Sequence, residues 1–117
     1  MIVLVIGGRS QGKKDFIRET FGIRDEEFDC GFGENTVILH LEKLIREQGS
    51  ETVLLKLEER FSAGDCIVSC DEVGMGIVPL EKKEREYRDD VGKVLCVIAK
   101  RADEVFRVFA GIGQRIK

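Results

Sequence analysis

The sequence predicts an α/β fold, a small three-layer sandwich in which a mainly parallel sheet lies between helices. Two apolar runs, Ile2-Val3-Leu4-Val5-Ile6 and Cys66-Ile67-Val68-Ser69-Cys70, have the length and β-branching of strands buried on both faces. Amphipathic helical stretches fill the intervals. Strands that alternate with helices need crossover connections, which make neighbouring strands parallel and put helices on both faces of the sheet.

The elements follow in order. The first strand runs into Gly7-Gly8-Arg9-Ser10-Gln11-Gly12-Lys13-Lys14, and an amphipathic first helix with Phe16, Ile17, Thr20 and Phe21 comes next. Phe21 to Glu34, with glycines around Asp25-Glu26-Glu27, reads as a loop with a short strand at Phe28 to Cys30 and a solvated acidic trio. From 34 to 48, Val37, Ile38, Leu41, Leu44 and Ile45 recur as one apolar helical face, which Gly49 ends. Residues 51 to 61 place Val53, Leu54, Leu57 and Phe61 on one side of a further helix that Gly64 closes. After the Cys66 strand, the longest helix spans about Glu81 to Ala102, where Tyr87, Val91, Val94, Leu95, Ile98, Ala99 and Ala102 keep a helical period. Glu104 to Ala110 reads as a last strand, with one exposed side because of Arg107.

Composition narrows the function classes. The 117 residues, 43% hydrophobic and 35% charged, describe one folded domain over 1–117 rather than a disordered tail. Folding at this size buries roughly two-thirds of the extended chain's surface, so neither disulfide nor structural metal is required. Nineteen basic against 22 acidic side chains give a net charge of -3 and no global field for nucleic acid or anionic lipid. No nucleic-acid partner is expected, and any phosphate must be caught locally. The opening apolar run is far shorter than the roughly 20 residues that span a bilayer, so no membrane span and a cytoplasmic location are expected. Cys30, Cys66, Cys70 and Cys96 contain no C-x-x-C pair, and only His40 could complete a mixed zinc set. Reduced, mostly buried thiols are the reading.

The segment from Gly7 to Lys13 has the spacing G-x-x-x-x-G-K of a phosphate-binding loop. Its glycines let backbone N–H groups turn toward an anion, the new helix adds its positive end, and Lys13 would contact the β- and γ-phosphates. Strand, glycine loop and helix succeed one another as such a loop requires. A P-loop NTPase-like domain is therefore expected, with Gly7, Gly8, Arg9, Ser10, Gln11, Gly12, Lys13 and Lys14 binding ATP or GTP. Lys14 stands where the motif normally carries the hydroxyl that ligates Mg2+, and an ammonium group cannot ligate a cation. The bland alternative is a glycine turn followed by two solvated lysines.

The second central strand runs straight into Asp71-Glu72, where carboxylates beside loop phosphates could hold Mg2+. Lys13 and Glu72 are the candidate catalytic residues, and Asp71 and Glu72 the candidate metal ligands. The alternative is that Asp71 caps the next turn and Glu72 is surface.

Beyond Asp71 comes Glu72-Val73-Gly74-Met75-Gly76-Ile77-Val78-Pro79, then Tyr87-Arg88-Asp89 and Gly92, then Ala102-Asp103-Glu104-Val105, Ala110-Gly111 and Lys117. In order and spacing these resemble the C-terminal part of the adenosylcobinamide kinase/adenosylcobinamide-phosphate guanylyltransferase family. The resemblance implies an oligomeric nucleotide-binding enzyme of cobalamin biosynthesis, which phosphorylates adenosylcobinamide and then attaches GMP to the phosphate. It also implies that Val73, Gly74, Met75, Gly76, Ile77, Val78 and Pro79 form a loop approaching nucleotide or corrinoid, and that Arg88 and Asp89 help shape that site.

The sequence also departs from that pattern. The family segment after the first helix, which carries the guanylylated histidine, has no counterpart, and His40 in the apolar stretch VILHLEKLI reads as structural. Asp71 replaces an asparagine, and Leu95 and Cys96 replace an asparagine-glutamine pair. The expectation is a shortened relative that transfers a phosphoryl group from ATP or GTP to adenosylcobinamide without guanylyl transfer. The alternative is a non-catalytic nucleotide- or corrinoid-binding relative.

Overall fold

The computed structural model describes residues 1–72 and 80–117. Among these residues the chain forms four α-helices and one six-stranded sheet of order β2-β3-β4-β1-β5-β6. β1 (Ile2–Gly7) lies inside the sheet, paired in parallel with β4 (Cys66–Asp71) and with β5 (Glu104–Phe109). The register pairs Gly7 with both Asp71 and Val108, so the C-terminal ends of these three strands finish level. Ligands of open parallel sheets bind at that edge, and the candidate site is there.

Alternation along β1 divides the core. Ile2 and Leu4 join Cys66, Val68, Cys70 and Val105 on one face, under α2 (Leu41–Gln48), α3 (Ser50–Ser62) and α4 (Lys82–Arg101). Val3 and Val5 join Ile67 and Val108 on the other, under Ile17 of α1 (Lys13–Phe21) and the rings of Phe16, Phe21, Phe28 and Phe106. Three layers result, as the strand and helix patterns predict. Leu4 is fully buried, and truncating such a side chain to alanine costs about 2–5 kcal/mol. Among the described residues no helix is long and apolar enough to cross a membrane.

The structure corrects the sequence reading in three places. Val37–Ile38 is a two-residue strand, β3, parallel to β4, and the helix begins only at Leu41. A short strand buried on both faces shows two adjacent apolar residues, which a helical stripe also does, and β3 was thereby absorbed into the α2 pattern. Beyond β2 (Phe28–Asp29), the sheet gains an unforeseen edge at its other end. β6 (Ile112–Arg115) runs antiparallel to β5 through a two-residue turn in which Ala110 (φ 51°) and Gly111 (φ 79°) are both left-handed. Finally, the thiols are evenly divided: Cys66 and Cys70 are buried, while Cys30 and Cys96 are exposed. Burial pushes the Cys66 and Cys70 thiols up, and both stay protonated.

Candidate functional site

The loop between β1 and α1 is shaped by its glycines. A Cβ on Gly7 would lie 2.5 Å from the Val108 carbonyl oxygen, so only glycine lets β1 and β5 stay together there. Gly12 caps α1 in the left-handed region at φ 88°. The β5–β6 turn braces the loop: the Gly111 N–H donates to the Gln11 carbonyl at 2.8 Å, and the Ala110 N–H to Gln11 Oε1 at 2.8 Å. The first N–H groups of α1 have no intrahelical acceptor and form the positive end of the helix.

Lys13, the first residue of α1, is buried. Its ammonium group donates to the Gly7 carbonyl at 3.2 Å and the Gly8 carbonyl at 2.8 Å, and lies 2.7 Å from Asp71 Oδ1. The level strand ends bring Asp71 to it. Breaking so buried a pair by removing one partner costs about 3–5 kcal/mol, because the other charge is left without compensation.

These groups line an open cleft of about 630 Å3. Of the residues that the sequence singles out, Arg9, Ser10, Gln11, Gly12, Lys13, Lys14 and Asp71 line it. Gly7 and Gly8 act behind it, through their carbonyls on Lys13. Lys14 places its ammonium 5.1 Å from the centre of the Phe28 ring. Glu72 is not among the described lining residues; its N–H donates to the Gly7 carbonyl at 2.9 Å and its carboxylate accepts from Arg107 at 3.3 Å. Asp71, the last residue of β4, and Glu72, just beyond it, therefore diverge, one to Lys13 and the other to Arg107. Arg88 and Asp89 belong to α4 and do not line the cleft. Residues 73–79, the expected substrate loop, lie outside the described residues.

The far wall of the cleft was not legible as a site. Leu39, His40, Glu42, Lys43 and Ser69 form it. His40 is not part of the apolar helical face; it caps α2 in the left-handed region at φ 56°, with its side chain 41% exposed and Nδ1 3.8 Å from Glu42 Oε1. Glu42 is buried, accepts from the Asp71 N–H at 3.1 Å through Oε1, and leaves Oε2 without a hydrogen bond. Burial pushes its carboxyl above the ordinary value, and the Asp71 charge adds to the effect. A clamp from α4 fixes this corner: the Tyr87 hydroxyl donates to the Glu42 carbonyl at 2.8 Å, and Arg46 stacks on the Tyr87 ring while pairing with Glu84 at 2.8 Å. The signal for Glu42 was present but short: within α2 it stands three residues before Ile45 and so shares the side of the helix that carries that apolar residue.

A mostly parallel sheet whose interior strand passes through a glycine loop into a helix defines a P-loop NTPase-like fold. Residues 34–116 match the family described as cobinamide kinase / cobinamide phosphate guanyltransferase, and the chain belongs to that family. It is 47% identical over 65 residues, 56% of its length, to the bifunctional adenosylcobalamin biosynthesis protein CobU of Salmonella typhimurium. It is 45% identical over 51 residues, 44% of its length, to the protein of the same name from Escherichia coli. The aligned stretches cover 35% and 28% of those two proteins, about a third of their length. The family match begins beyond the glycine loop, so the case for Gly7 to Lys14 rests on geometry.

Proposed function

We propose that the cleft holds the triphosphate of ATP or GTP and that the protein transfers the terminal phosphoryl group to adenosylcobinamide. The observation that carries this reading is the placement of Lys13, buried at the foot of a 630 Å3 cleft between loop carbonyls, the start of α1 and Asp71. In the transfer an acceptor hydroxyl oxygen bonds to the γ-phosphorus and gives up its proton to solvent, the bond to the bridging oxygen breaks, and a nucleoside diphosphate leaves. Such a reaction depends on positioning and charge neutralisation, which backbone N–H groups and one fixed ammonium can supply. Mg2+ would arrive with the triphosphate, and Asp71, which lines the cleft, is the carboxylate proposed to meet it. Glu72 as a catalytic residue and second metal ligand, and Arg88 and Asp89 as residues that help shape the site, remain proposals. The proposed setting is the cytoplasm, with the homo-oligomer that the resemblance implies, and guanylyl transfer is not part of the reading.

The test is incubation of purified protein with ATP or GTP, Mg2+ and adenosylcobinamide. Phosphorylated corrinoid should appear, and should be absent with Lys13→Ala. No phosphorylated corrinoid at stoichiometric protein would remove the kinase reading. A second reading, a non-catalytic nucleotide- or corrinoid-binding protein, is favoured by Lys14 at the hydroxyl position. It predicts triphosphate binding that is indifferent to Mg2+ and no transfer.

A further inference from the structure

The corner where α2 begins gathers three side chains of metal-ligating type. A nitrogen of His40 and one carboxylate oxygen each from Glu42 and Asp71 all lie within 4.8 Å of one another. Proximity of acidic groups is common without an ion and would not suffice. The independent observation is Glu42: it is 5% exposed, lines the cleft, and its Oε2 has no hydrogen-bond donor. A buried carboxylate oxygen left without a partner is costly, and a cation beside it removes that cost. We propose that His40, Glu42 and Asp71 form a binding site for a divalent transition metal ion of the zinc, manganese or cobalt type.

The donor set selects the class of ion. Mg2+ takes oxygen ligands and keeps several waters, whereas an imidazole beside two carboxylates suits zinc and its neighbours. Metal–ligand bonds of about 2.0–2.2 Å place adjacent donors about 3.0–3.5 Å apart. His40 Nδ1 lies 3.8 Å from Glu42 Oε1; because Oε1 already accepts from the Asp71 N–H, Oε2 is the oxygen left for the ion, and the imidazole, 41% exposed, must turn toward it. Asp71 is held by Lys13 through Oδ1, which leaves Oδ2 for the ion. The supporting contacts are in place: the Asp71 N–H donates to Glu42 and the Tyr87 hydroxyl holds the Glu42 backbone. The open side of the cleft leaves a position for water or a phosphate oxygen.

The test uses metal alone, so it succeeds or fails independently of the nucleotide reading. Untagged protein, with the exposed thiols removed as Cys30→Ser and Cys96→Ser, is titrated with Co2+ and followed by its visible d–d absorption. One equivalent should bind, Zn2+ should displace it, and a hundredfold excess of Mg2+ should not. His40→Asn, which keeps a residue tolerant of the left-handed backbone, should weaken binding at least tenfold, and Glu42→Gln should do the same. Unaltered circular dichroism shows that each variant folds. No saturable absorption in the parent protein, displacement by Mg2+, or absorption unchanged in folded His40→Asn or Glu42→Gln would overturn the proposal.

Discussion

Helices α1 and α2 both begin at the cleft with a residue in the left-handed region, Gly12 at φ 88° and His40 at φ 56°. Glycine adopts that backbone freely, whereas an L side chain gives up about 1–2 kcal/mol. Their neighbours differ as well. Next to Gly12, Lys13 has two carbonyls and a carboxylate around its ammonium; two residues after His40, buried Glu42 keeps an oxygen with no donor. The α1 start is satisfied as it stands. The α2 start carries backbone strain and an unmet acceptor together, which is the pattern of a position shaped for something other than stability.

The largest effect should come from Lys13. Lys13→Ala leaves Asp71 without its counter-charge and should cost about 3 kcal/mol in urea unfolding. Adding Asp71→Asn should recover part of that loss, and a double-mutant cycle without recovery would show that the pair contributes nothing. The two helix starts should then respond in opposite directions. Gly12→Ala should destabilise by about 1–2 kcal/mol, since it adds left-handed strain and brings a Cβ to 3.1 Å from Gly111 Cα. His40→Gly should stabilise by about 0.5–1 kcal/mol in metal-free buffer, the released strain being partly offset by unfolded-chain entropy. Equal signs would erase the contrast.

The smallest effect concerns the clamp that steadies α2. The Arg46 guanidinium holds the Glu84 carboxyl below its ordinary value of 4.5. A lowered folded value means that the pair adds stability above pH 4.5, and that this is lost as pH falls through the folded value. Glu84→Gln should therefore be slightly less stable than the parent at pH 7, with the gap closing toward pH 3 in thermal melts. A gap that does not change with pH would remove Glu84 ionisation from the clamp.

What the sequence showed and what it hid follow from the same contrast. The glycine loop was legible because each glycine answers a local steric demand that leaves a fixed spacing, as Gly7 against Val108 illustrates. The two central strands were legible from their β-branched apolar runs, and α3 and α4 from their helical periods. The β3–α2 corner was not, because Val37 and Ile38 on a doubly buried strand mimic a helical stripe and so move the apparent start of α2 away from His40. β6 was hidden because its turn uses Ala110 where asparagine or aspartate would have signalled a tight hairpin, and its braces on Gln11 are contacts 99 and 100 residues apart. Two adjacent carboxylates at a strand end were legible, but which of them meets Lys13 depends on the register of β1 with β4.

Calorimetric titration of ATP and of GTP, with and without Mg2+, into the parent protein and Lys13→Ala tests the central claim most directly. Saturable binding of one triphosphate by the parent, weakened at least tenfold in folded Lys13→Ala, is the predicted result. Absence of binding, or equal affinity in the two proteins, would contradict the assignment of the Gly7 to Lys13 cleft as a triphosphate site.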